Sequence, residues 1–226
     1  MKRLCFKNQY KILTHHFFKK INLNLFCFLL ELQSQPKEVI IHKNLSDALK
    51  TPNEVQILDL SRNQLTILPK EIEQLVNLES LHLRDNELTT LPEEIGILKN
   101  LKYLDISRNQ ISNFPKEIQK LKNLEVLFLN GNSLSNLPEE IGELEKLGIL
   151  YLNNNQLTTL PKEIGQLENL VSLSLSSNKL TSIPDELGQL KKLRILNLWD
   201  NPTLTTPERN IRKLFRNQEI TIEISP

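Results

Sequence analysis

Cysteine is nearly absent from this chain. Of 226 residues only Cys5 and Cys27 are cysteine, and both fall within the first 30 positions. Everything downstream therefore lacks a disulfide framework, a paired CxxC zinc pattern and a thiol nucleophile. Long apolar runs are missing too. The most apolar stretch, Ile21 to Leu32 (INLNLFCFLLEL), is broken by Asn22, Asn24 and Glu31, and it falls short of the ~20 apolar residues that a membrane-spanning helix needs. Nor is there a basic excess. The formal net charge is +1, but six basic residues and no acids lie in the first 30 positions, leaving 22 of the 28 basic residues against all 27 acids. Phosphate recognition needs a basic face, so a body of net charge −5 excludes nucleic acid as the main partner.

The first 35 residues differ from the rest. Lys2, Arg3, Lys7, Lys11, Lys19 and Lys20 precede the apolar run, and the polar Gln33-Ser34-Gln35 follows it. Positive charge, short apolar run, then polar residues is the pattern of a secretory signal peptide. The basic region is long, no small-x-small site stands near Ser34, and Leu25-Phe26 before Cys27 lacks the small residue of a lipoprotein signal. The pattern predicts a secreted or cell-envelope protein; the alternative is a cytoplasmic chain with an N-terminal extension. His15-His16 have no further ligand nearby in sequence, so no metal site is read there.

What is present is a repeat. In Leu147–Leu170, LGILYLNNNQLTTLPKEIGQLENL, neither a period of two nor one of 3.6 covers all the apolar positions. Shifted by 23 residues the pattern matches again. Asn63, Asn86, Asn109, Asn132, Asn155, Asn178 and Asn201 form one column, and Pro69, Pro92, Pro115, Pro138, Pro161, Pro184 and Pro207 form another. Residues 55–206 thus hold seven repeats, the last irregular because Pro202 follows Asn201 and delays the next leucine to 204. Residues 36–54 read as an N-terminal cap: Val39–Ile41 favours a strand, and Asn44–Lys50 a short helix capped by Asn44 or Ser46. Residues 207–226 read as a C-terminal cap, with Ile211, Leu214 and Phe215 on one helical face and Ile220, Ile222 and Ile224 alternating as in a strand. One repeat cannot bury enough apolar surface to order 23 residues, so stability must come from stacking.

The segments LKYLDISRNQI (101–111) and LVSLSLSSNKL (170–180) are the LxxLxLxxNxL signature. The full consensus, LxxLxLxxNxLTxLPxEIxxLxNL, resembles the short bacterial leucine-rich repeat proteins of the leptospiral type. Their cap sequence is similar to Asp47-Ala48-Leu49 through Leu58-Asp59-Leu60-Ser61. The same repeat type occurs in Ras-suppressor-like and Scribble-like proteins. The resemblance implies an α/β repeat solenoid: a right-handed arc with a parallel β-sheet on the concave face and short helices or 3-10 turns on the convex side. It also implies protein–protein interaction and, from the bacterial relatives, export and contact with host proteins.

The residue chemistry agrees with that class. Alternation places the two leucines of each short strand inside and the residue between them outside. Asn in the column serves backbone groups left open by the turn. Pro suits the first position of a helical turn, and Glu71, Glu94, Glu117, Glu140, Glu163 and Glu186 suit its dipole. Thr66, Thr89, Ser112, Ser135, Thr158 and Thr181 are expected to bond local backbone. The outward positions then define the binding face. Tyr103, Val126, Phe128, Ile149 and Tyr151 are expected to form an exposed aromatic–aliphatic patch, the composition of an interaction hot spot. Asp59, His82 and Asp105 share one column, with Arg62, Arg84, Asp85 and Arg108 nearby, as a mixed-charge surface without a nucleophile or oxyanion donor. Trp199 ends the face and either binds or closes the core. The reading is a monomeric, non-enzymatic interaction module with a protein partner, no cofactor and no metal; the alternative is an exported adhesive protein that binds host matrix or glycan.

Overall fold

Two residues, Ile41–His42, form β1, the first of nine strands in a single sheet. The computed structural model describes residues 40–225, so the readings on residues 1–35, with Cys5, Cys27, His15 and His16, lie outside the described residues. A four-residue helix, α1 (Leu45–Ala48), follows β1, and Asn44 is its cap: Asn44 Oδ1 accepts from the backbone N–H groups of Ser46 and Asp47. The repeat strands are β2 (Ile57–Asp59), β3 (Ser80–His82), β4 (Tyr103–Asp105), β5 (Val126–Phe128), β6 (Ile149–Tyr151), β7 (Ser172–Ser174) and β8 (Ile195–Leu198). After helix α2 (Glu208–Leu214), β9 (Thr221–Ile224) closes the series.

All neighbours pair in parallel in chain order, and from β2 to β8 the register advances by 23 residues: Leu58 faces Leu81, Leu81 faces Leu104, and so on to Leu196. This register puts every column of the sequence on one line across the sheet. The central leucines are fully buried, together with the leucines and isoleucines of the turns. Burial of such side chains contributes roughly 1.5–3 kcal/mol each, and almost every one is buried against a neighbouring repeat.

The return leg of each of the first six repeats is a 3-10 turn of five residues, such as Lys162–Gln166, and not an α-helix. Each such turn starts one residue later than the sequence suggests. Pro161 and its equivalents are extended (ψ near 146°) and cap the turn from outside it; the strand-like ψ lets the chain leave the core before it bends. A 3-10 turn is wider than a strand, so stacking opens the turn side and leaves the sheet on the concave face.

The Asn column is a bonded ladder. In each central repeat Nδ2 donates to two backbone carbonyls and Oδ1 accepts a backbone N–H of the preceding repeat; for Asn155 these are Leu129 O (2.9 Å), Leu152 O (3.0 Å) and Leu134 N (3.1 Å). Asn63 is exposed because only the cap precedes it. A second ladder, unread in the sequence, runs along the other edge: Asn77, Asn100, Asn123 and Asn169 donate to Asn53, Val76, Lys99 and Glu145 carbonyls. The Thr/Ser column behaves differently from expectation. Its members are exposed, and among the described residues only the Thr181 hydroxyl donates to backbone, across repeats to Thr158 O (3.3 Å).

Candidate functional site

The outward faces of β3 to β6 carry four adjoining rings, with His82, Phe128 and Tyr151 in one register column and Tyr103 in the column two residues before it. His82 and Tyr103 have centroids 4.8 Å apart and tilted by 35°; Tyr103 and Phe128 meet edge to face at 5.7 Å and 86°; Phe128 and Tyr151 stack at 5.1 Å and 25°. Parallel strands stand ~4.8 Å apart, so Phe128 and Tyr151, opposite each other in one column, must touch, and Tyr103 from the neighbouring column links His82 to Phe128 across the strand where that column holds Asp105. The result is a continuous aromatic ladder across the middle of the concave face. His82 belongs to this ladder, whereas the sequence grouped it with its two aspartates.

The aliphatic half of the expected patch is corrected. Val126 and Ile149 are 5% and 8% exposed, so they support the face without presenting a surface. Each is flanked in register by neighbours at strand spacing, and the Tyr151 hydroxyl reaches across to accept from Ser172 Oγ (3.4 Å), which brings the Tyr151 side chain over their column. Asp105 is also buried, and its Oδ1 accepts from Ser107 N (2.9 Å). Asp59 Oδ1 likewise accepts from Ser61 N. Both carboxylates thus close their own strand ends. His82 Nε2 instead sits 2.9 Å from Ser80 Oγ. Among the described residues no group of three His, Cys, Asp or Glu is placed to hold a metal ion. Trp199 is 51% exposed and does not close the core; its backbone N–H donates to Asn197 Oδ1.

His82 is the titratable group of the ladder. Burial holds its imidazole below the ordinary 6.5, and Asp59 and Asp105 only partly offset this. A folded-state value below the unfolded one means that the unfolded chain binds the proton first as pH falls, so stability is lost below the unfolded value. The Glu125 carboxyl, pushed up by burial, works in the opposite direction. The expected result is that His82→Asn loses less stability than wild type between pH 7.5 and 5.5 in urea titrations. Identical slopes for the two proteins would show that His82 protonates freely in the fold.

Arg84 lies at the C-terminal rim of this face, where charge gathers. The Asp85 carboxylate is approached by Arg62 Nε (3.3 Å), Arg84 Nε (3.4 Å) and Arg108 Nη1 (3.6 Å). Beside it opens a cleft of about 470 Å³ lined by Arg84, Ser107, Arg108, Asn130, Gly131 and Asn154. Asn130, Gly131 and Asn154 were not singled out from the sequence. The signal was present as a column: the residue before each ladder Asn (Arg62, Asp85, Arg108, Gly131, Asn154, Ser177, Asp200) has φ between +54° and +66°.

Comparison with known proteins places this architecture. A family model described as a leucine-rich repeat region matches residues 93–217, and a leucine-rich repeat model matches 54–75 and 77–98. No curated protein matches the chain. Among solved structures, the plant peptide hormone receptor RGFR1 in complex with RGF2 is 34% identical with a TM-score of 0.60, over 66% of this chain. A TDR receptor gives the same three values. This chain spans 25% and 26% of those two receptor chains. A leucine-rich repeat protein of Leptospira interrogans is 28% identical over 83% of this chain and 72% of its own, with a TM-score of 0.44. With a family model covering more than half its length, the chain belongs to the leucine-rich repeat family.

Proposed function

We propose that this chain is a non-enzymatic interaction module that binds a polypeptide through its concave face, with Tyr103, Phe128 and Tyr151 as the anchors. The observation that carries this reading is the aromatic ladder. Half-buried rings in the centre of a concave sheet are a large area held in one conformation, so little ordering entropy opposes binding. The likeness to RGFR1, a peptide hormone receptor held in complex with RGF2, supports a polypeptide partner.

Ring geometry favours that partner over glycan. A sugar stacks on an open ring face. Here Phe128 and Tyr151 cover one another's faces, and Tyr103 turns its ring at 86° to Phe128. For localisation we propose export, supported by the basic-then-apolar order of residues 1–35; fractionation of expressing cells tests it, and a purely cytoplasmic protein overturns it.

The test of binding is capture of partner proteins by immobilised wild type against Phe128→Ala/Tyr151→Ala, with circular dichroism to check folding. Truncating two central aromatic anchors removes about 2 kcal/mol each, about 4 kcal/mol together, so affinity should fall by about three orders of magnitude. Equal capture by both proteins would sink the ladder as the binding surface.

A further inference from the structure

We propose that the cleft beside Asp85 is a carboxylate-binding site. Every repeat places one residue with left-handed backbone just before its ladder Asn, and that residue's N–H donates to the next repeat: Arg108 N to Asn130 O, Gly131 N to Asn153 O, Asn154 N to Ser176 O. The backbone there is uniform, so the column differs only in what it projects. Gly131 projects nothing. The gap lies between the Arg108 and Asn154 side chains and is the cleft.

Its walls are cationic and amidic. Three guanidiniums meet one carboxylate, so the cluster keeps two positive charges after Asp85 is counted. All three approaches are single and long, at 3.3 to 3.6 Å, with none of the paired short contacts that a guanidinium makes with a well-seated carboxylate. Each guanidinium carries five N–H donors and makes one contact with Asp85, so Arg84 and Arg108, which line the cleft, keep donors for a second anion. Asn130 uses its Oδ1 to accept from Asn153 N (2.9 Å), which turns the amide so that Nδ2 remains to donate. Arg108 is 66% exposed in its side chain and can swing over the gap without leaving Asp85 far behind. A carboxylate in the cleft would take paired donors from Arg84 or Arg108 and a further one from Asn130. The carboxylate could belong to an acidic side chain of a polypeptide or to a free small acid, and the site stands whether or not the aromatic ladder binds a partner.

The test titrates the full chain with capped hexa-glutamate, capped hexa-glutamine and citrate, following arginine Nε–H resonances. Hexa-glutamate or citrate should shift the Arg84 and Arg108 signals, the tighter of the two naming the source, while hexa-glutamine should not. Affinity should drop at least tenfold in Arg84→Gln/Arg108→Gln. It should drop similarly in Gly131→Asn, which fills the gap with a residue that tolerates left-handed backbone and leaves every charge in place. A third variant, Lys191→Gln/Lys192→Gln/Arg194→Gln, removes exposed charge elsewhere and should bind like wild type. Equal binding of the two peptides, undiminished binding by Gly131→Asn, or loss in the third variant to the same degree overturns the site.

Discussion

Asn132→Ala is expected to destabilise the chain by about 3–5 kcal/mol, read as a lowered urea midpoint. Asn132 is buried and makes three cross-repeat or turn bonds: Nδ2 to Ile106 O (3.1 Å) and Leu129 O (3.0 Å), and Oδ1 from Ile111 N (3.0 Å). Alanine does not remove these partners equally. Ile106 O still accepts from Asn109, and Leu129 O from Asn155. The Ile111 N–H is left inside the core with nothing to donate to. An orphaned buried donor costs about 1–3 kcal/mol, and each lost bond adds about 1 kcal/mol. Asn63→Ala is the control. Its side chain is exposed at the start of the ladder, and the change should stay within about 0.5 kcal/mol. Equal effects at the two positions would mean that the ladder contributes through the turn alone and not through stacking.

Gly165→Ala should cost about 2–3 kcal/mol, whereas the same substitution at Gly148, 17 positions away in sequence, should be neutral or stabilising by about 0.4–1 kcal/mol. A Cβ on Gly165 would stand 2.6 Å from Glu186 O, 2.8 Å from Glu186 Cβ and 3.0 Å from Glu186 C. None of these atoms can swing aside, so the two 3-10 turns must separate, and neighbouring contacts go with them. At Gly148 the nearest atoms are Glu125 O at 3.7 Å and Asn169 O at 3.8 Å, which is ordinary contact. There alanine only narrows the unfolded ensemble. Both variants can be compared with wild type by urea unfolding. A harmless Gly165→Ala would show that the turn side is loosely stacked.

These two predictions concern the same property from opposite edges of the solenoid. The Asn ladder ties the end of each strand to the repeat before it, and the glycines let the following turn approach backbone to backbone. Stability is therefore carried between repeats, as expected of a quasi-one-dimensional stack. The concave face is what remains free to vary. Its outward positions touch the core very little, so aromatic and charged residues can gather there without disturbing the repeat.

The 23-residue period could be read from composition of columns alone, because each column has one job in every repeat. Leu150, Leu152 and Asn155 therefore announced their burial, and the register across the seven repeat strands followed from spacing. Alternation also located the outward positions, since a strand has only two faces. Exposure could not be read in this way. Val126 and Ile149 point outward yet are buried, because cover comes from side chains of neighbouring columns and strands, including Tyr151, whose hydroxyl reaches to Ser172 on the next strand. Likewise His82 joined the rings and not the aspartates once Asp59 and Asp105 turned to their own strand ends. The cleft is the clearest case. Gly131 reads as an ordinary glycine until its left-handed neighbours are stacked beside it, and the convergence of Arg62, Arg84 and Arg108 on Asp85 spans three repeats. Sequence alone determined the family, the period and the direction in which each side chain leaves the strand, because these depend on local alternation and on spacing. Only the tertiary structure decided which outward residues meet water, which rings touch and where charge concentrates, because those depend on distances between repeats that no single repeat contains.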